Sequence, residues 1–236
     1  MKLIKLAFKP ETAAPMLALT FASAISVALV FARVLWTGHI RYAGLIWNLF
    51  LAWMPLVFAL LAAEKYQTGP ARNWRFVGLT TAWLLFFPNA PYIFTDVIHL
   101  NTSYFAHFWV DMVLILLCAL TGLVLGFVSL FLMQAVVTRM LGRLASWIFI
   151  AGVAGLSSFG ICLGRFLRFN SWDVLVRPVS LYHGIGTLVA DPFHASTLAF
   201  PMLFATFLFI TYVMLYALTH LQQAVPSTWS NSLSQS

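Results

Sequence analysis

The sequence predicts an all-α integral membrane protein, a bundle of about six transmembrane helices with a proline break in the third. Three observations predict it. Apolar residues make up 62% of the 236 and charged residues only 8%, against about a quarter charged in ordinary soluble domains. Six stretches each reach the ~20 apolar residues that span hydrocarbon. Most polar residues that interrupt those stretches fall toward one end of the bundle.

The first stretch, Ala14–Val34, follows Lys2, Lys5 and Lys9 and contains Ala22-Ser23-Ala24, in the manner of a secretory signal. It runs on through Phe31, longer than the usual apolar core of a signal, and leads into more apolar segments, so it reads as a retained anchor. The second, Ala43–Ala63, carries Ala62, Ala59, Pro55 and Ala52 at helical spacing, a small-residue face ending at Asn48. The third, Phe76–Ile98, contains Pro88-Asn89-Ala90-Pro91. Each proline removes an N–H and crowds a carbonyl one turn back, and each biases its predecessor toward extended geometry. About 12 residues precede the first, ~18 Å at helical rise, which places the break inside a ~30 Å hydrocarbon core. Broken backbone at that depth needs protein or a watery cavity around it.

The fourth stretch, Phe108–Val137, aligns Ser129, Gly126, Gly122, Cys118, Ile115 and Asp111 on one stripe, and the fifth, Ala145–Leu167, aligns Gly160, Gly164 and Arg168. Both contain Gly-x-x-x-Gly, which lets helices approach closely, and the expectation is that these two helices pack against one another. Cys118 and Cys162 lie inside spans with no Cys-x-x-Cys and read as small apolar packing residues. The sixth stretch is Thr197–His220. The polar, Ser-rich remainder reads as a disordered tail, leaving one membrane domain over 1–221 and a tail over 222–236.

With the N-terminus inside, eight Lys and Arg fall on the inner side and five on the outer. The larger count belongs inside, so both termini are expected in the cytoplasm of a cell with the protein in its bacterial inner membrane. The net charge of +7 comes without a basic run, which argues against a nucleic-acid partner. The expected partners are the bilayer and a lipid or small anionic ligand.

Chemistry-bearing residues gather at the outer end. Asp96 and His99 sit i and i+3 on one helical edge; His107 and Asp111, at i and i+4, open the next helix after a short connection. Asp96, His99, His107 and Asp111 offer nitrogen and oxygen donors suited to zinc, manganese or iron. Asp96, His99 and Asp111 also suit acid/base catalysis. A helix cap by Asp111 and a His99–Asp96 ion pair account for the same residues structurally. No Lys or Arg lies between Arg75 and Arg139, so Arg165 and Arg168 are the nearest counter-charges. Arginines held near the interface also bind phosphate or carboxylate. Asn48, Asn89, Arg165, Arg168, Asn170 and Asp173 form the anion-binding candidate set. The segment Val174–Ser196 is amphipathic and is expected to lie along the outer interface as a lid.

Three segments carry a family resemblance: Trp47-Asn48-Leu49-Phe50-Leu51-Ala52-Trp53-Met54-Pro55, Phe86-Phe87-Pro88-Asn89-Ala90-Pro91-Tyr92 with Thr95-Asp96 and His99-Leu100, and Leu163 through Asp173. Over roughly Ala43 to Tyr182 the chain resembles a bacterial membrane family, domain of unknown function 1361. The resemblance implies a polytopic inner-membrane protein and no particular activity. Three functional readings fit these residues: an enzyme acting on a lipid headgroup or lipid-linked anion, a small transporter or ion-coupled carrier, and a non-catalytic assembly subunit.

Overall fold

The computed structural model of the chain describes residues 10–38, 40–68, 74–100, 105–167, 169, 173–190 and 195–224. All regular structure among them is helical. The long helices are α1 (Pro10–Thr37) and α2 (Gly44–Thr68), joined through a 3-10 turn over Ile40–Tyr42. The chain continues through α3 (Trp74–Phe86), α4 (Asn89–Tyr92) and a 3-10 helix over Ile93–His99. Next come α5 (Phe105–Leu141) and α6 (Arg143–Phe166). The short α7 (Asp173–Val176), α8 (Pro178–Ala190) and the long α9 (Ala195–Ala224) complete the fold.

Among the described residues, five helices are long and apolar enough to cross a bilayer, against about six expected. The difference is the third stretch. Its α-helix stops at Phe86 after 13 residues, about 20 Å at 1.5 Å per residue. Position 88 has no N–H to continue the ladder. Phe87 N still donates to Trp83 O at 2.8 Å, Ala90 N turns back to Phe87 O at 3.1 Å, and Tyr92 N reaches Pro88 O at 3.1 Å. The remainder tightens into 3-10 geometry, which rises about 2.0 Å per residue and brings i and i+3 onto one edge. The composite stretch still runs the length of the bundle. At one end the Phe76 ring lies 6.1 Å from Tyr66; at the other, Asp96 meets Arg165.

The core has two apolar parts. One gathers Leu49, Ala52 and Leu56 of α2, Ile115 and Cys118 of α5, and Ala90 and Ile93 of the composite stretch, with α1 against it. The other joins Trp83 and Phe87 to Phe127 and Met133 of α5, Ile150 and Val153 of α6, and Leu208 and Tyr212 of α9. Large apolar side chains on α1 (Phe21, Phe31, Leu35) and α9 (Met202, Leu203) face outward. A soluble protein buries such a continuous face, whereas lipid solvates it. Cys118 and Cys162 are buried free thiols, as the packing reading expects.

The glycine faces do something other than join α5 to α6. A Cβ on Gly122 would stand 2.8 Å from Ala90 O, and one on Gly126 2.9 Å from Ala90 Cβ. From the other side, a Cβ on Gly160 would meet Pro88 Cγ at 3.4 Å, and one on Gly164 the Tyr92 ring at 3.3 Å. The two helices do pack against one another, as expected, through Phe127 and Met133 on one and Ile150 and Val153 on the other, but their glycines meet the third stretch. The Phe87–Tyr92 segment lies between them: Gly122 and Gly126 leave room for Ala90 that a side chain would fill, while Gly160 and Gly164 face the Pro88 and Tyr92 side chains near van der Waals distance. The two helices are neighbours through Gly142, whose φ of 90° is in the region that side chains avoid.

Candidate functional site

The end of α1, the start of α2, the 3-10 helix, the start of α5 and the end of α6 meet at one end of the bundle. Asp96 is buried there and is reached from two other helices. Its Oδ1 lies 2.7 Å from Arg165 Nη2, and its Oδ2 accepts from Asn48 Nδ2 at 2.9 Å. Arg165 Nε also donates to Thr95 Oγ1 at 3.0 Å, and its Nη2 reaches the same hydroxyl. The Thr95 hydroxyl in turn donates to Tyr92 O at 2.6 Å. The Arg165 guanidinium lies 4.6 Å from the Tyr92 ring centroid, within cation–π range. The geometry follows from the 3-10 period: Tyr92 and Thr95, three apart, share an edge and present ring and hydroxyl to the same arginine. Asn89 is turned back onto its own segment, donating to Phe86 O at 3.0 Å.

Asp111 belongs to a second network. Arg33 of α1 holds it with a two-pronged contact, Nε to Oδ1 at 2.6 Å and Nη2 to Oδ2 at 3.1 Å. Tyr42 donates its hydroxyl to Oδ2 at 2.9 Å. The Trp36 ring lies 5.5 Å from the guanidinium. This pairing is charge-assisted and planar, the strongest form of side-chain hydrogen bonding.

Of the residues singled out from sequence, Asn48, Asp96 and Arg165 come together directly. Asn89 lies one helical turn from Tyr92 in the same stretch. Asp111 is at the same end but tied to Arg33. Asp173 is buried at the start of α7. Arg168 and Asn170 lie outside the described residues, as do the side chains of His99 and His107, although the backbones of those two histidines lie in the 3-10 helix and α5. Among the described residues no three His, Cys, Asp or Glu side chains are grouped to hold a metal. The metal set rests on both histidines, so its geometry lies with them.

Four partners escaped the sequence reading: Arg33, Tyr42, Tyr92 and Thr95. Arg33 was one of the five basic residues on the outer, minority side and was given no partner. The available signal was that Asp111, in a run without basic residues, needs a cation from elsewhere, and Arg33 is at the same end.

The turn after α6 is packed by α8. Phe169 packs its carbonyl near Gly164, where a Cβ would lie 3.3 Å away. A Cβ on Gly184 of α8 would stand 2.9 Å from the Phe169 ring, so α8 crosses close over the turn that follows α6. Val176 at the end of α7 and Val179 and Tyr182 of α8 are exposed.

A family model described as "Protein of unknown function (DUF1361)" matches residues 47–215, well over half of the chain. No curated protein and no solved structure gives a significant match. The matched region contains Asn48, Asp96, Asp111 and Arg165 and excludes Arg33 and Tyr42.

Proposed function

We propose that this chain, which belongs to the DUF1361 family, is a multi-pass protein of the bacterial inner membrane that binds an anionic lipid headgroup, or a lipid-linked anion, at the Asp96–Arg165 network. In this reading both termini are cytoplasmic and the network lies near the outer leaflet, by the excess of basic residues on the opposite side. The observation that carries the reading is the asymmetry of the pair. The Asp96 side chain is 7% exposed and Arg165 15%, so an approaching group meets the cation first. The carboxylate behind it is also held by Asn48. An incoming phosphate competes with Asp96 for the guanidinium, a planar fork matched to either anion. Asp96, still held by Asn48, is then the acid/base candidate beside the bound headgroup. Ionisable groups at membrane depth are costly and usually functional, which supports a role beyond tying helices together.

The test uses protein in nanodiscs of phosphatidylglycerol and phosphatidylcholine, with bound lipid counted by native mass spectrometry. Arg165→Gln is expected to lose the preference for phosphatidylglycerol by about tenfold or more, since a hydrogen bond to a charged group contributes ~1.5–3 kcal/mol. Asp96→Asn removes the internal competitor and is expected to strengthen that preference. A gain cannot come from misfolding. Unchanged lipid preference in both variants would overturn the reading.

A further inference from the structure

The Asp96–Arg165 network holds an anion and a cation side by side. Asp96 Oδ1 stands 2.7 Å from Arg165 Nη2, so a group that engages the guanidinium comes up beside the carboxylate as well. The carboxylate is the deeper of the two. Asp96 is buried, whereas Asn48, Tyr92, Thr95 and Arg165 around it are half-buried. Asn48 donates one N–H to Asp96 Oδ2 at 2.9 Å. The carbonyl oxygen of the same amide therefore stands next to that carboxylate, as an acceptor. The network offers a guanidinium and, behind it, a carboxylate beside an amide carbonyl.

Charge decides what kind of phosphate suits such a place. Whatever else holds Asp96, a plain anionic headgroup at Arg165 brings a second negative charge close to a buried carboxylate, and like charges in such surroundings disfavour one another. A ligand that carries its own cation avoids this. Its phosphate takes the guanidinium, its ammonium takes the carboxylate, and one internal ion pair is exchanged for two with the ligand. The net charge of the site is unchanged. A primary ammonium has three N–H donors, enough for Asp96 and the Asn48 carbonyl, and a quaternary one has none. Quaternary groups are recognised by aromatic cages, whereas the Tyr92 ring here already has the Arg165 guanidinium 4.6 Å from its centroid.

We propose that the site takes a phosphate ester bearing a primary amine, of the phosphoethanolamine kind, with its phosphate on Arg165 and its ammonium at Asp96 and Asn48. The inference rests on the headgroup reading and adds the amine to it. The short ethylene link between phosphate and amine suits a protein cation and anion in direct contact. Trp47, Val97 and Phe166 are next in sequence to Asn48, Asp96 and Arg165, and all three are exposed apolar side chains. An apolar surround of this kind favours an ester that carries acyl chains over a soluble one. Asp96 is then the residue that sets selectivity, disfavouring a purely anionic headgroup and favouring one with an amine.

The experiment counts lipid retained by the full chain, by native mass spectrometry, from phosphatidylcholine nanodiscs holding equal phosphatidylethanolamine and phosphatidylglycerol. Wild-type protein is expected to retain phosphatidylethanolamine over phosphatidylglycerol by about tenfold, the contribution of a hydrogen bond to a charged group. N-acetylphosphatidylethanolamine keeps the phosphate and lacks the ammonium, and is expected to bind no better than phosphatidylglycerol. Asp96→Asn is expected to reverse the order of the first two lipids. Arg165→Gln is expected to lose the preference for either over phosphatidylcholine. Excess soluble phosphoethanolamine is expected to leave the bound lipid in place; displacement would keep the amine ester as occupant and make its source the soluble one. A wild type that holds phosphatidylglycerol as well as phosphatidylethanolamine, or an amine preference undiminished in Asp96→Asn, would overturn the proposal. In that event a loss of phosphatidylglycerol in Arg165→Gln still upholds the headgroup reading, and no change in that variant overturns both.

Discussion

Arg33 and Asp111 illustrate what a charge pair does at a helix end facing lipid. Their side chains are 9% and 13% exposed, so each neutralises a partner that would otherwise be stranded away from water. Removing one half leaves the other buried and uncompensated, which costs about 3–5 kcal/mol, whereas replacing both by apolar residues is often nearly neutral. The remaining guanidinium nitrogen, Nη1, is buried without an acceptor, so this pair is less than fully satisfied and its removal as a unit loses little. Asp111→Ala is therefore expected to lower stability by about 3 kcal/mol, and the Arg33→Met/Asp111→Leu double variant to recover most of that. Tyr42→Phe should lose only ~1 kcal/mol, one hydrogen bond. Denaturant unfolding of the purified set checks all three, and additive losses in the double variant would mean the pair is not coupled. The pairing was hard to read from sequence because 78 positions separate the partners and nothing local ties Arg33 to Asp111. Arg165 was easier: the absence of any Lys or Arg from Arg75 to Arg139 left Asp96 in need of a distant cation.

The elements owe their arrangement to the Phe87–Tyr92 segment and to the glycines that admit it. Gly122 and Gly126 on α5 take one side of that segment, Gly160 and Gly164 on α6 the other. A methyl at Gly122 would sit 2.8 Å from the Ala90 carbonyl, a backbone atom that moves only with its segment. Gly122→Ala is expected to destabilise by about 1–3 kcal/mol through overpacking and to displace the stretch that carries Thr95 and Asp96. Gly152→Ala, with nothing near the new carbon, should be neutral or gain up to ~1 kcal/mol of helix propensity. Melting temperatures compare the two directly, and equal behaviour at the two sites would show that the close approach carries no energy. The small-residue stripes were legible in the sequence, but their partners were not. A glycine face admits any backbone of suitable shape. Two adjacent helices with matching motifs suggested each other, while the better fit was Ala90 and Pro88, in a segment too short of side chain to look like a packing element.

Across the whole molecule, Asp111 and Arg139 bracket α5. They are 28 residues apart on one helix, about 42 Å at helical rise, which matches the ~40–45 Å between the two headgroup layers. The Arg33–Asp111 and Asp96–Arg165 networks then stand at one end of the apolar length of α5 and Arg139 at the other. That the chain is a helical membrane bundle was readable from apolar length alone, because lipid permits few spanning structures and each helix satisfies its own backbone. The number of continuous spans was less readable, since the third stretch keeps an apolar composition through a change of backbone geometry that only Pro88 and Pro91 announce. Its course nevertheless decides the topology: if it returns the chain to the far side, Gln67 and Leu100 lie on opposite faces of the membrane. With the larger basic count inside, a reporter fused after Gln67 is expected to be active as a cytoplasmic fusion and one after Leu100 as a periplasmic fusion. Were both to report the same side, the composite stretch would be re-entrant and the Asp96 network would not open on the face opposite Lys65. Were the two to report reversed sides, the network would face the cytoplasmic leaflet, and the anionic group it meets would belong to that leaflet.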